Sequence, residues 1–506
     1  MPRLLIQLLA LVTLCALITL PNLAAQGLTS SEGHRVIPAL EMLDTGNYQV
    51  PTMFDQPYVR KPQLVPWLFA AALNIHNDPT LTPELPTRLV SATAFTLMVL
   101  ASFFYTRRWF GKRAGFPAAT ALALTPLYWS PARAAEIESI NNLFTALAAW
   151  IAIDLIINTQ KPIKHKLPAA LLLTLTALLM ILTKGPAGFP ILLALVFSAA
   201  ILTRSIKSFF NPFIWTPVTI AALIFAWHWS NTLDAAGPNA ITQSPNAFMF
   251  ETGRLLKLAA FIPVSLLTAL PITLALLFPW GKDAKAEASE SESLTQQLNT
   301  AKLIALSIPL ALLIMMLTGV SNDRYAQPIL APLAPLVGWL LITNLKPHRK
   351  KILHALTIGS PKNLATILCI GVFINITIIE SVSGTKRKSS GLLPAIQLAE
   401  DLQSNLPPAP QGTRYTLVAD AMIEARPETL LYLRTALEST NHQLTILWIP
   451  KLSPEHLSNL AASSQTPLLA LLRTDQSGNE FNKVLTGKTI ATGTVHEFNF
   501  TLVTLN

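Results

Sequence analysis

The 506-residue chain is short of charge. Only 13% of its residues are Asp, Glu, Lys or Arg, against about 25% in an ordinary soluble domain. That deficit excludes a soluble globular enzyme and a charge-rich disordered scaffold. Cysteine is scarce as well. Cys15 and Cys369 both lie in apolar runs, so the chain has neither a disulfide framework nor a Cys-based metal site. A Gly-rich phosphate loop, a metal-ligand cluster and an internal repeat are all missing. Acids number 27 against 37 Lys and Arg, a net charge of +10. In a membrane protein such a surplus belongs to cytoplasmic loops and is a poor argument for nucleic acid. What the chain has in excess is apolar residues, 51% of the total, and 38 prolines. Membrane helices tolerate proline where neighbouring groups satisfy the freed backbone.

A spanning helix needs about 20 mostly apolar residues. The first such run is 4–25, too long for a signal-peptide core and without a convincing cleavage site, so a retained helix is expected. Further spans are read near 86–105, 115–132, 140–157, 167–183, 187–203, 212–230, 258–280, 303–319, 327–344 and 364–382, about eleven in all. With the N-terminus in the cytoplasm, Arg107, Arg108, Lys112, Arg113, Lys161, Lys164, Lys166, Arg204 and Lys207 all fall in cytoplasmic loops, as do the Lys and Arg residues near 282 and 346–351. This asymmetry supports the orientation. The polar stretch 281–302 reads as a disordered cytoplasmic loop. Past residue 385 the pattern changes to short apolar strands alternating with helical segments. The chain is therefore expected to be mainly α: a polytopic helix bundle over 1–385, then a small extracytoplasmic α/β domain over 386–506.

Three places interrupt the apolar pattern. The loop 26–85 is too long for a mere connector and carries Glu32, His34, Arg35, Tyr58 and Lys61. Within it, Val36, Ile37, Leu40 and Leu43 mark an amphipathic helix on the membrane surface. The turn SPARAAEIESINN carries Arg133, Glu136 and Glu138. Lys184 and Arg324, the latter followed by Tyr325, stand beside apolar spans on that same outer side. Each residue alone has an ordinary reading, since loop acids are solvated and lysines at helix ends snorkel to headgroups. Together they suggest more. Two acids such as Glu32 and Glu138 at a water–lipid boundary could hold a divalent metal through oxygen, or one could be a general base on a hydroxyl. Cations at that depth suit phosphate oxygens.

Five of these segments carry a family resemblance. Residues 31–51 read SEGHRVIPALEMLDTGNYQVP, residues 56–63 QPYVRKPQ, residues 133–138 RAAEIE, residues 182–186 LTKGP and residues 322–328 NDRYAQP. In order and spacing, from the first helix to about residue 345, they resemble the GT-C class of membrane glycosyltransferases. Within that class they are similar to the aminoarabinose-transferase and protein O-mannosyltransferase-like group. The resemblance implies a polyprenyl-phosphate donor carrying one sugar, and transfer with inversion to a lipid, glycan or protein acceptor outside the inner membrane of a bacterial cell. It places Glu32 and Glu138 at the family's acidic positions, where they are the expected catalytic residues with Glu32 as the candidate general base, and Lys61 at the lysine facing the lipid phosphate. Lys184, Arg324 and Tyr325 fall on the phosphate side. His34, Arg35, Tyr58, Arg133 and Glu136 are further candidates. The chain departs from the pattern at Ser31, where the family has Asp, and at Gln63, where it has Pro.

Two rival readings follow from the same residues. A transporter or flippase of lipid-linked intermediates would need charges within the spans and discontinuous helices in matching halves; the charges here group on one face. A non-catalytic assembly subunit would account for the lost Asp at position 31.

Overall fold

The computed structural model describes residues 2–25, 27–76, 82–238, 240–242, 254–276, 292–320 and 322–343. Beyond them it describes residue 400 and the segments 414–419, 427–438, 443–448, 454–463, 468–473, 489–495 and 498–505. The bundle is built from α1 (Pro2–Thr19), α2 (Ser30–Thr45), α3 (Leu64–His76), α4 (Glu84–Phe110), α5 (Gly115–Ala123), α6 (Pro126–Trp129), α7 (Ile137–Ile157), α8 (Ile163–Lys184), α9 (Phe189–Thr203) and α10 (Pro212–Ala236). α11 (Arg254–Thr268), α12 (Glu292–Leu317), α13 (Gln327–Leu330) and α14 (Ala334–Thr343) follow.

Five of the described helical stretches are long and apolar enough to cross a membrane: Glu84–Phe110, Ile137–Ile157, Ile163–Thr203, Ile206–Ala236 and Leu294–Leu317. The chain is an integral membrane protein. The 41 residues of Ile163–Thr203 would run roughly 60 Å if straight, about twice the hydrocarbon thickness. Gly185, at φ +64°, breaks them into α8 and α9. A side chain at that φ would be strained, so glycine is suited to the position.

The expected count of about eleven spans is not reached among the described residues, and proline is one reason. A proline inside a helix removes an amide donor and clashes with the preceding turn. The expected span 115–132 is broken where Pro126 starts α6 and Pro131 starts a 3-10 turn. The expected span 258–280 stops at Thr268 and resumes only as a 3-10 turn over Ile272–Leu276. Gln327–Thr343 is a single apolar helical run, tightened to a 3-10 turn at Ala331–Leu333, and is too short to count among the five. The span 364–382 lies outside the described residues. So does 281–291, but 292–302 forms the start of α12 instead of the expected disordered loop. Leu298 and Ala301 there are buried against the bundle, and that burial outweighs the polar composition of the segment.

α7 is the centre of the packing, touching α4, α8 and α9, and its Trp150 is fully buried. Some buried hydroxyls in the spans are satisfied locally: Thr106 donates to the Ser102 carbonyl and Thr183 to the Leu179 carbonyl, one turn back. The amphipathic helix expected over 32–43 is α2. It starts with a capping box in which Thr29 and Glu32 satisfy each other's backbone amides. It buries Val36, Ile37 and Met42.

Strands β1 (Thr52–Met53), β2 (Gln56–Val59) and β3 (Ile241–Thr242) form a small sheet. Five more form a second: β4 (Arg414–Ala419), β5 (Gln443–Trp448), β6 (Leu468–Arg473), β7 (Thr489–Val495) and β8 (Phe498–Leu505) in the order β5-β4-β6-β8-β7. The first three are parallel and β8 is antiparallel to both its neighbours. α15 (Pro427–Glu438) and α16 (Pro454–Ser463) are the crossovers between the parallel strands. Buried runs at Leu417–Ala419 and Leu468–Leu471 are what a parallel core strand requires.

α15 packs on α2. The contact needs Gly33, since a Cβ there would lie 3.0 Å from the Glu428 amide nitrogen and 3.1 Å from Pro427 Cγ. Tyr432 of α15 accepts a hydrogen bond from the Leu28 amide and donates to Glu84.

Candidate functional site

The first turn of α2 meets the turn that precedes α7, and two charge clusters form there. In the first, Glu32 is fully engaged. Its Oε1 accepts from Arg88 Nε at 2.7 Å and from the Ala135 amide at 2.7 Å. Its Oε2 accepts from Arg88 Nη2 at 2.9 Å and from the Thr29 amide at 2.8 Å. Arg88 also donates to the Leu23 and Gly27 carbonyls. Burial works to raise the Glu32 carboxyl, but the Arg88 guanidinium and these amides hold it below the usual carboxylate range. Glu32 is 1% exposed and has no lone pair turned to a cavity.

The second cluster surrounds Glu138, in the first turn of α7. Lys184 Nζ donates to its Oε1 at 2.9 Å, and Arg324 Nε donates to the same oxygen. Its Oε2 is buried without a hydrogen-bond partner among the described residues. Arg324 also reaches Glu136 Oε2 at 3.5 Å. Tyr325 lies under Lys184, whose Nζ is 4.4 Å from the ring centroid. Glu136 Oε1 accepts from Ser31 Oγ at 2.7 Å. Ser31, the departure noted in the sequence, thus carries an acid by contact instead of by identity. Of the three glutamates, Glu136 has the most open side chain: 19% exposed, against 2% for Glu138 and 1% for Glu32.

Lys61 and Arg35 complete this cluster. Burial, then repulsion from Arg35, Lys184 and Arg324, outweighs attraction by Glu138 and brings the Lys61 ammonium down to about 8. Neither Lys61 nor Arg35 makes an ion pair among the described residues. Two acids, Glu136 and Glu138, therefore face four cations: Arg35, Lys61, Lys184 and Arg324. Packing like charges this closely is unfavourable unless an anion joins them. Beside them, the His34 ring stacks on Tyr58 at 5.8 Å, the Tyr58 hydroxyl lies 3.1 Å from His34 Nδ1, and Arg60 lies over the Tyr58 ring.

Other candidates are used elsewhere. Arg133 is turned away from the cluster and clamps the end of α1, donating to the carbonyls of Ile18 and Thr19 at 2.9 Å and of Pro21 at 2.8 Å. Gln63 joins the first loop to α10 through Thr232 and His228. The reading of Glu32 and Glu138 as a metal pair does not fit. Both Glu32 oxygens are saturated by Arg88 and amides, and Glu138 is already neutralised by two cations. No group of three or more His, Cys, Asp or Glu that could hold a metal ion occurs among the described residues.

Sequence reasoning passed over Arg88, Glu84 and Tyr432. Arg88 did carry a signal: a lone arginine inside an apolar span demands a partner. Tyr432 carried none, because its contact is more than 300 residues away along the chain.

The fold has counterparts among known proteins. Over 99% of this chain and 98% of the other, the structure superposes on ArnT from Cupriavidus metallidurans bound to undecaprenyl phosphate, with a TM-score of 0.66 at 14% identity. The chain carries the GT-C fold. The apo form of the same ArnT gives a TM-score of 0.61. The oligosaccharyltransferase of Archaeoglobus fulgidus, in its apo form, shares the GT-C fold at a TM-score of 0.52 and 12% identity, over 95% of this chain and 71% of that one. By sequence, residues 60–230 match the family model described as dolichyl-phosphate-mannose-protein mannosyltransferase. No curated protein sequence matches the chain. The matched stretch contains Lys61, Glu136, Glu138 and Lys184.

Proposed function

We propose that this chain is a membrane glycosyltransferase that takes a single sugar from a polyprenyl-phosphate donor. It passes that sugar to a lipid, glycan or protein acceptor on the outer side of the membrane. The observation that carries the reading is the cation surplus around Lys61. A sugar on polyprenyl phosphate is a phosphodiester with one negative charge, and the released polyprenyl phosphate carries up to two. Four cations against two acids match the product charge better than the substrate charge. Catalysis rests on such a difference, because only interactions that strengthen toward the transition state accelerate the step.

In this scheme Arg35 and Lys61 hold the phosphate oxygens, and Lys184 and Arg324 add to the field while Glu138 keeps them in place. Glu136 is the general base. The acceptor oxygen or nitrogen attacks the anomeric carbon and its proton passes to Glu136. The bond from that carbon to the phosphate oxygen breaks, and its electron pair stays on the phosphate. Attack opposite the leaving group inverts the sugar carbon. Glu32 is a positioning residue: through the Ala135 amide it fixes the turn that carries Glu136. The Ser31–Glu136 contact speaks against the non-catalytic assembly reading, since it supplies a carboxylate where the expected Asp is absent.

The test uses membranes given a radiolabelled polyprenyl-phosphate sugar. Lys61→Ala and Arg35→Ala are expected to raise KM for the donor by at least tenfold while the protein still inserts. Unchanged donor kinetics in both variants would remove the phosphate assignment.

A further inference from the structure

A second polar cavity lies at the other end of α7. Asp154 is sixteen residues beyond Glu138, about 24 Å along the helix, so this cavity is separate from the cluster just described. Its volume is about 470 Å3, and its polar wall is formed by Arg108, Asp154, Asn158, Lys161, His165 and Lys166. These residues come from the last turn of α4, the last turn of α7 and the first turn of α8, with its entry loop.

The charge in this wall is unbalanced. Its one acid, Asp154, is engaged: it accepts from Arg108 Nη2 at 2.8 Å, from Trp109 Nε1 at 3.3 Å and from Asn158 Nδ2 at 3.3 Å. Arg108 is still 57% exposed at the side chain and keeps further N–H donors for a ligand. Lys166 is held at the rim by the Thr159 carbonyl at 3.0 Å and by the face of Phe213. Lys161 and His165 are exposed, and Lys161 has no acidic partner among the described residues. Guanidinium and ammonium donors therefore converge on a space with a positive balance, large enough for a small polar group.

The cavity does not open to water alone. Ala169 forms part of its wall, and one and two turns farther along α8 stand Leu172 and Leu175, both about half exposed. An exposed apolar strip leading out of a basic cavity at the end of membrane helices suits a molecule with a phosphate head and acyl chains. A soluble phosphate compound would use the cations and leave the strip bare.

We propose that this cavity binds the phosphate headgroup of an anionic membrane phospholipid, with its acyl chains lying along Leu172 and Leu175. Native mass spectrometry of the detergent-solubilised full chain, titrated with phosphatidylglycerol and separately with phosphatidylcholine, tests it. The protein should retain phosphatidylglycerol at least fivefold more readily. Lys161→Met with Lys166→Met should erase that preference, while Lys112→Ala, a cation on the same face outside the cavity, should keep it. Both lysines are at the rim, so the variants are expected to fold; Lys161→Met alone, at an exposed site, should still halve the preference. Equal retention of the two lipids, or a preference that survives the double substitution, overturns the proposal. Displacement of the lipid by millimolar inorganic phosphate also overturns it, because that assigns the cavity to a soluble ligand.

Discussion

Two buried carboxylates flank the turn that precedes α7, Glu32 through the Ala135 amide and Glu138 from the first turn of α7, and they do opposite things. Glu32 is closed: one guanidinium and two amides satisfy its oxygens, and nothing is left over. Glu138 is as buried but incomplete: two cations crowd one of its oxygens, the other has no hydrogen-bond partner among the described residues, and Arg35 and Lys61 stand near without an ion pair among the described residues. The first arrangement is what folding needs, since a buried ion holds only when its hydrogen bonds are complete. The second leaves folding with a cost that a bound phosphate would remove. In the proposed reaction the Glu32–Arg88 side is structural and the Lys61–Glu136 side chemical.

The largest expected effect tests the chemical side. Glu136→Gln keeps the shape and most hydrogen bonds of the site but cannot take a proton. Transfer from a labelled donor should fall on the order of 10²- to 10⁴-fold, with donor affinity nearly unchanged. If the activity survives in Glu136→Gln and is lost in Glu32→Gln without loss of folding, the two roles are reversed.

The structural side is tested next. Arg88→Met leaves Glu32 buried without its cation, and breaking a buried pair in this way costs about 3–5 kcal/mol. Thermal unfolding in detergent should show it. Because the folded-state Glu32 carboxyl is held low, its stabilising contribution is complete above the ordinary carboxylate range and disappears as pH falls through the lowered value. The acid limb of wild-type stability should therefore flatten in Arg88→Met. Lys61→Met should do the reverse of Arg88→Met, raising the unfolding temperature while raising KM for the donor by at least tenfold.

Two smaller effects sharpen the comparison. Lys61 loses its charge as pH rises through about 8, well below an ordinary lysine. The kcat/KM for donor should accordingly decline above pH 8 with a single ionisation, because that ratio reports the free enzyme. Lys61→Arg should move this decline upward in pH. A decline that stays at pH 8 in Lys61→Arg assigns it to another group. Tyr432→Phe removes the hydroxyl that links α15 to the Leu28 amide and Glu84, a loss of about 1 kcal/mol. Its effect should be seen in stability before activity.

How much of this was legible in the sequence depended on the range of each interaction. Local periodicity gave away α2, because Val36, Ile37, Leu40 and Leu43 repeat at helical spacing. Charges set against apolar runs drew attention to Glu138, Lys184 and Arg324, because the cost of burying them is visible in one dimension. The pairing was not visible. Glu32 meets Arg88, 56 residues away, and the sequence alone suggested Glu138 as its companion. Nor was it visible that Ser31 binds Glu136, because that contact depends on how the turn over 131–136 closes against α2. Span counting failed where Pro126 and Pro131 sit in an apolar run, since hydropathy averages over the break that a proline makes.

In the proposed reaction the surplus positive charge at Lys61 receives a lipid phosphate. Equilibrium binding of polyprenyl phosphate to the purified protein, wild type against Lys61→Met, measures this directly. Binding should be at least tenfold weaker in Lys61→Met at pH 7, with the wild-type affinity falling toward it as pH rises past 8. Equal affinities in the two proteins across that range would contradict it.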